Sequence, residues 1–187
     1  MDDFKGILIS IKPKWCELIA SGKKTVEVRK TRPKTATPFK CYIYCTKDFY
    51  RKGDGYFQGK CCGKVIGEFV CDKITEFYPT MDLNRLTSNH IQMVDKSCVN
   101  MRDLYNYAND KILYAWQISD IVIYDKPKEL SEFYTRCRMD CELCKMWGHT
   151  RVNADEFDMD CKSDWVNHKP ILRPPQSWCY AKEAYNG

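Results

Sequence analysis

The sequence of 187 residues has no apolar run that approaches the roughly 20 residues needed for a membrane-spanning helix. The start of the sequence, Met1-Asp2-Asp3-Phe4, carries two acidic residues and lacks the apolar segment of a secretory signal peptide. It also contains no internal repeat and no low-complexity tract. These absences argue against membrane, secreted and repeat proteins, so we expect a cytoplasmic protein that binds no membrane.

Acidic residues are scarce in the first part of the chain. The net charge is +5, but residues 1–70 hold fifteen Lys and Arg against seven Asp and Glu, while residues 71–187 hold fifteen against eighteen. A basic patch attracts phosphate groups, although lysine-rich runs are also common on ordinary solvated surfaces. The basic residues of this patch are Lys12, Lys14, Lys23, Lys24, Arg29, Lys30, Arg32, Lys34 and Lys40.

A strand–helix–strand unit is predicted near the N-terminus. The apolar run at residues 6–11 indicates a buried strand, and Pro13 suits the first turn of a helix because its missing amide has no partner there. Gly22 is typical of a residue that ends a helix in a left-handed conformation. Residues 25–29 then alternate polar and apolar, as a half-buried strand does. Val26 and Val28 are therefore expected to face the core.

The remaining elements predict an α+β fold. Strands are expected at residues 40–46, 64–74 (with a bend at Gly67), 112–118, 121–124 and 177–182. A helix is expected to begin at Asn100 and to bury Leu104, Tyr107 and Ala108. Five or six short strands with two or three helices indicate a small mixed β-barrel with helices at its edges.

These elements carry a resemblance to a known family. The residues concerned are Gly22, Lys24, Glu27 and Arg29 after the Ser10-Ile11-Lys12-Pro13 helix start, and Pro174 to Tyr180 near the C-terminus. They resemble ASCH domains of bacterial and phage type, a branch of the PUA-like superfamily. The resemblance implies one domain over residues 1–187, a PUA-like barrel with flanking helices, and a Cys-rich insertion at residues 137–168.

The same residues predict a ligand-binding cleft. Because side chains alternate along a strand, Glu27 and Arg29 share one face with Lys24 at its near end. A carboxylate can accept hydrogen bonds from a base, and Arg and Lys can bind phosphate. The alternative is a surface ion-pair cluster. The predicted ligand-binding residues are Ser10, Lys12, Lys24, Glu27, Arg29, Tyr44 and Trp178, the last two as rings on which bases stack, although aromatic residues in a small barrel are often core.

Twelve cysteines are many for this length, and without a secretory segment they favour metal binding or buried thiols over disulfides. Cys137, Cys141, Cys144 and Cys161 lie in a polar segment, and four thiolates suit a structural zinc ion. His149 or His168 could replace one thiolate. Unmetallated or redox-active thiols and an iron–sulfur cluster are the alternatives. The other eight are expected to pack as small apolar side chains: Cys16, Cys41, Cys45, Cys61, Cys62, Cys71, Cys98 and Cys179.

The function predicted from the sequence is an RNA- or nucleoside-binding module. The first alternative is a hydrolase acting on a modified nucleoside or on RNA, with Lys24 and Glu27 as catalytic residues. Lys24 matches the Lys of the related branch that resembles acetylcytidine amidohydrolases, but Glu27 replaces the Thr of that branch. A second alternative is a protein-interaction adaptor that uses the Cys-rich segment.

Overall fold

A six-stranded mixed sheet forms the centre of the fold. The computed structural model describes residues 6–47, 62–135 and 170–183, which contain eight strands, three α-helices and two short 3₁₀ helices. The strands are β1 (Gly6–Ile11), β2 (Val26–Arg29), β3 (Phe39–Cys45), β4 (Val65–Phe77), β5 (Leu113–Lys128), β6 (Phe133–Tyr134), β7 (Trp178–Tyr180) and β8 (Lys182–Glu183). The helices are α1 (Pro13–Ala20), α2 (Ser88–Ser97) and α3 (Met101–Ala108), and the 3₁₀ helices are Leu83–Arg85 and Leu130–Glu132.

The sheet has the strand order β2-β5-β4-β3-β1-β7, and β6 pairs with β8 in a second, two-stranded sheet. Strands β1 and β3 are parallel, and the other neighbouring pairs are antiparallel. Although β2 and β1 stand near opposite ends of this order, Arg29 on β2 hydrogen-bonds the carbonyl oxygen of Ser10 on β1. The sheet is therefore curled like a half-barrel, which confirms the predicted α+β fold class.

The strand–helix–strand unit at the N-terminus forms as predicted. Pro13 occupies the first turn of α1, and Gly22 leaves the helix with a φ of 72°. The amide of Lys24 then donates to the carbonyl oxygen of Leu18, which turns the chain back toward the sheet. This short connection brings β2 back toward the end of β1, where Arg29 reaches the carbonyl oxygen of Ser10.

Three clusters of buried side chains hold the fold together. The largest packs side chains of β1, α1, β3 and β4 together with Trp116 of β5. A second cluster packs Tyr42 and Tyr44 of β3 against residues 130–133 and Ala181. The third packs β2 and β5 against α3. Four of the cysteines predicted to pack, Cys16, Cys41, Cys45 and Cys71, are buried, and burial raises the pKa of the Cys71 thiol to about 12.

Some local predictions were wrong. Residues 113–128 form one continuous strand rather than two. Asp120 takes a left-handed conformation (φ 45°) and the register shifts, but the pairing with β4 continues on both sides of it. Tyr107 is 41% exposed, although Leu104 and Ala108 of the same helix are buried. The predicted strand at 177–182 is divided at Ala181 between the two sheets.

No helix in the described ranges is long and apolar enough to cross a membrane. The predicted Cys-rich insertion at residues 137–168 lies outside those ranges.

Candidate functional site

Three charged side chains of the predicted cleft form one buried ion cluster. Nζ of Lys24 lies 3.3 Å from Oε2 of Glu27, and Nε of Arg29 lies 3.1 Å from Oε1 of the same carboxylate. The Nε–H of Arg29 is not aligned for a hydrogen bond, so this second contact is ionic. All three residues are buried: Lys24 is 2% exposed, Glu27 6% and Arg29 8%. Both oxygens of Glu27 thus face a cation.

Backbone carbonyl groups complete the surroundings of the two cations. Nζ of Lys24 donates to the carbonyl oxygen of Ser97 at 2.7 Å, and Nη2 of Arg29 donates to that of Ser10 at 2.6 Å. Nη1 of Arg29 lies 3.5 Å from the hydroxyl of Ser177. Buried charges are stable only with such partners, because desolvation costs several kcal/mol per ion. The cluster therefore joins β2 to α2, to β1 and to the segment before β7.

The prediction that these groups line an open cleft was wrong with respect to exposure. The alternation along β2 is correct, since Val26 and Val28 pack in the cluster with α3 while Glu27 and Arg29 face the other side. However, that other side is covered by Trp15, whose ring centroid lies 5.2 Å from Nζ of Lys24, and by the chain at Ser177. The ion cluster is thus part of the protein interior.

A cavity of about 640 Å³ is lined in part by Ser10, the residue whose carbonyl oxygen binds Arg29. Two predicted ligand-binding residues, Ser10 and Tyr44, lie in its wall and are neighbours in the β1–β3 register. The hydroxyl of Ser10 donates to the carbonyl oxygen of Pro175 at 2.6 Å, which fixes the opposite wall. The other lining residues are Thr46, Lys47, Gly63, Glu129, Leu130, Ser131, Ile171, Leu172, Pro174, Pro175 and Gln176.

Among the described residues that line this cavity, Tyr44 is the aromatic one. The hydroxyl of Tyr44 forms no hydrogen bond with any residue of the described ranges, although its ring packs in the second core cluster. Burial and the neighbouring thiols of Cys45 and Cys62 raise the pKa of Tyr44, so this hydroxyl is protonated at neutral pH. It can therefore donate a hydrogen bond to a ligand in the cavity.

The two other predicted ligand-binding residues lie away from this cavity's wall. Lys12 is exposed at the start of α1. Trp178 is half-buried, packs against Trp116 with ring centroids 6.0 Å apart, and donates from Nε1 to the hydroxyl of Thr31 at 3.0 Å. This contact could not be predicted from the sequence, because 147 residues separate its partners.

The predicted metal site lies outside the described residues. Cys137, Cys141, Cys144 and Cys161 lie outside the described ranges, as do His149 and His168. Residues 6–47, 62–135 and 170–183 contain no group of three or more His, Cys, Asp or Glu side chains that could hold a metal ion. His90 instead contacts Thr87 and the carbonyl oxygen of Tyr78.

Comparison with known proteins identifies the fold independently. The ASCH domain family matches residues 9–171. The crystal structure of ASCH from Zymomonas mobilis is similar with a TM-score of 0.56 and 20% identity, over 96% of this chain and 90% of that one. A mutant ASCH protein from Zymomonas mobilis is similar with a TM-score of 0.55 and 20% identity, over 97% of this chain and 92% of that one. No curated protein matches the chain.

Proposed function

This chain belongs to the ASCH domain family, and from this membership we propose that it binds single-stranded RNA and receives one unpaired nucleotide in the cavity beside Ser10 and Tyr44. The observation that carries the proposal is that Tyr44, whose hydroxyl is protonated at neutral pH and has no partner in the described ranges, lines a cavity of about 640 Å³. Sequence-specific RNA recognition uses unpaired bases, which are stacked on aromatic rings and hydrogen-bonded on their edges.

The size and chemistry of the cavity suit a nucleotide. Ligand pockets in proteins typically measure about 300–1,000 Å³ and combine an apolar wall with a few polar groups. Here Leu130 and Ile171 supply apolar surface, and Tyr44 and Gln176 supply hydrogen-bonding groups. Lys47 is exposed at the same cavity and can contact a phosphate. A base and its phosphate therefore find complementary groups at one site.

The buried ion cluster of Lys24, Glu27 and Arg29 has a positioning role in this proposal. Arg29 binds the carbonyl oxygen of Ser10, whose own side chain lies in the cavity wall. Rigid support of this kind lowers the entropy that a binding site loses when its ligand binds. The cluster thus fixes the wall against which the nucleotide is held and makes no contact with it.

Catalysis by Lys24 and Glu27 stays a weaker alternative. A general base must reach the proton that it removes, but both oxygens of Glu27 face Lys24 and Arg29. A ligand would first have to displace one of these contacts. No contact among the described residues favours hydrolysis over binding, and none favours the adaptor role of the Cys-rich segment.

The test is the affinity for short single-stranded RNAs, measured by fluorescence anisotropy with the full chain. Tyr44→Phe keeps the ring and removes the hydroxyl, so we expect affinity to fall by roughly 2- to 10-fold, the value of one hydrogen bond. Tyr105→Phe, on exposed α3, is the matched control and should bind like the parent. Absence of RNA binding by the parent at low salt, or equal binding by Tyr44→Phe, would contradict the proposal.

A further inference from the structure

The loop that connects β2 to β3 is rich in positive charge. Residues 28–47 contain six basic side chains and no acidic one. Three of the six, Lys30, Arg32 and Lys34, lie in this loop and are exposed. Like charges at this density create a positive local potential, which attracts anions.

Arg29 and Lys40, in the same stretch, each have an acidic partner, whereas these three cations have none in the described ranges. Arg29 contacts Glu27, and Lys40 lies 2.7 Å from Glu68. No carboxylate of a described residue lies within ion-pair distance of Lys30, Arg32 or Lys34. Within the described ranges, the charge of these three side chains is therefore not neutralised by a carboxylate.

Aromatic residues hold two of these cations in place. Nζ of Lys30 lies 4.8 Å from the centroid of the Tyr107 ring, and the guanidinium carbon of Arg32 lies 5.7 Å from that of Tyr114. Cation–π contacts at exposed sites are worth about 0.5–1 kcal/mol, enough to orient a side chain without neutralising it. Tyr107, which its helix position predicted to be buried, instead contacts Lys30 at the surface.

The backbone of the loop is also fixed. The hydroxyl of Thr31 accepts a hydrogen bond from Nε1 of Trp178, and the amide of Lys34 donates to the hydroxyl of Tyr180 at 3.0 Å. Both aromatic residues belong to β7, so two hydrogen bonds attach the loop to the edge of the sheet. A loop held in this way loses little conformational entropy when it binds a ligand.

A second cavity of about 560 Å³ lies at this loop. Arg32 and Lys34 line it together with the hydroxyl-bearing residues Thr35 and Thr37, and Ile74 lies at one side. Guanidinium, ammonium and hydroxyl groups are the side-chain donors that proteins use to contact phosphate oxygens. The lining therefore suits a phosphodiester group better than an uncharged ligand.

We propose that the loop of residues 30–37 binds the phosphodiester backbone of single-stranded RNA through Lys30, Arg32 and Lys34. This inference rests on the proposed function and adds a second contact surface to it. The nucleotide cavity at Tyr44 holds a base, while the loop neutralises phosphates on the same strand. The loop contributes affinity without reading sequence, because phosphate contacts carry no sequence information.

The test compares two triple variants that remove the same charge. In the loop variant Lys30, Arg32 and Lys34 are replaced by Gln, and in the control variant the exposed Lys96, Lys111 and Lys126 are replaced by Gln. RNA affinity is measured by anisotropy over a range of salt concentrations. Each phosphate contact contributes about 0.7 to the slope of log K against log salt for single strands. Because three contacts are removed, the slope of the loop variant should be smaller in magnitude by about 2 than that of the parent. Its affinity at 0.1 M salt should be lower by about two orders of magnitude.

The outcomes separate this inference from the proposed function. If the parent binds RNA and Tyr44→Phe weakens binding, but the loop variant matches the control variant, the loop inference alone is wrong. If the parent binds no RNA, both fail. Poly-glutamate that competes as well as RNA would identify an acidic-peptide site and overturn the inference. Single variants Arg32→Gln and Lys34→Gln, each expected to lower the slope by about 0.7, give the answer if the triple variant does not fold.

Discussion

Arg29 on β2 donates from Nη2 to the carbonyl oxygen of Ser10 on β1, at 2.6 Å, across the open side of the curled sheet. The two strands share no backbone pairing, because three strands lie between them in the sheet order. The side-chain hydrogen bond of Arg29 thus connects two strands that a closed barrel would connect by backbone hydrogen bonds. Since the side chain of Ser10 lies in the wall of the nucleotide cavity, the same contact links the fold to the proposed site.

Removing the carboxylate of this cluster should strongly destabilise the protein. Glu27→Gln leaves Lys24 and Arg29 buried beside each other without a counter-charge. Loss of one partner from a buried ion pair costs about 3–5 kcal/mol. We expect a decrease of that size in the free energy of unfolding, measured by urea denaturation.

Glu76→Gln is the matched control for this experiment. Glu76 is exposed on β4 and makes no ion pair with another described residue, so its loss should change stability by less than about 0.5 kcal/mol. Equal stability of Glu27→Gln and Glu76→Gln would mean that the cluster carries no structural role.

The sequence predicted the local unit of this site but not its surroundings. Pro13, Gly22 and the alternation along β2 each act over a few residues, and each appears in the structure as expected. The burial of Glu27 and Arg29 could not be predicted in the same way. It depends on Ser177, which is 148 residues from Arg29. Alternation indicates which side chains share a face of a strand, and it does not show whether that face is covered.

The same limit applies to the strand β5. A break between two strands was predicted around Asp120, and the backbone is irregular there, since Asp120 has a positive φ. Pairing with β4 nevertheless continues on both sides of this residue. Non-local hydrogen bonds therefore override a local break signal. This is the common outcome when tertiary context opposes propensity.

Stability should decrease in acid partly through Glu68. Burial would raise the pKa of this carboxyl group, but hydrogen bonds from Lys40 and Tyr124 outweigh burial and lower the pKa below its usual 4.5. A lowered folded-state pKa stabilises the protein above the unfolded pKa, and that stability is lost as pH falls through the folded value. Glu68→Gln should therefore reduce the loss of unfolding free energy between about pH 6 and about pH 3. The measurement is urea denaturation at each pH, and an unchanged pH dependence would contradict the assignment.

The Cys-rich segment stays a predicted zinc site. We expect one zinc ion per chain in protein purified without added metal, held by Cys137, Cys141, Cys144 and Cys161. Chelation should loosen residues 137–168 and leave the unfolding of the sheet unchanged. Cys144→Ser should lower the zinc content, whereas Cys98→Ser, in the described part of the chain, should not. Zinc well below one per chain by elemental analysis would show that these thiols serve another purpose.

Trp178 should control the order of the loop at residues 30–37 through its hydrogen bond to Thr31. Trp178→Phe and Thr31→Val each remove this bond, and a neutral hydrogen bond contributes about 1 kcal/mol. We expect the amide of Lys34 to exchange its hydrogen about 5-fold faster in either variant, measured by NMR. Because both substitutions remove the same contact, the double variant should be no faster than the single ones. Thr75→Val, on the exposed side of β4, is the control. Additive effects in the double variant would show that Trp178 orders the loop by packing and that the hydrogen bond is incidental.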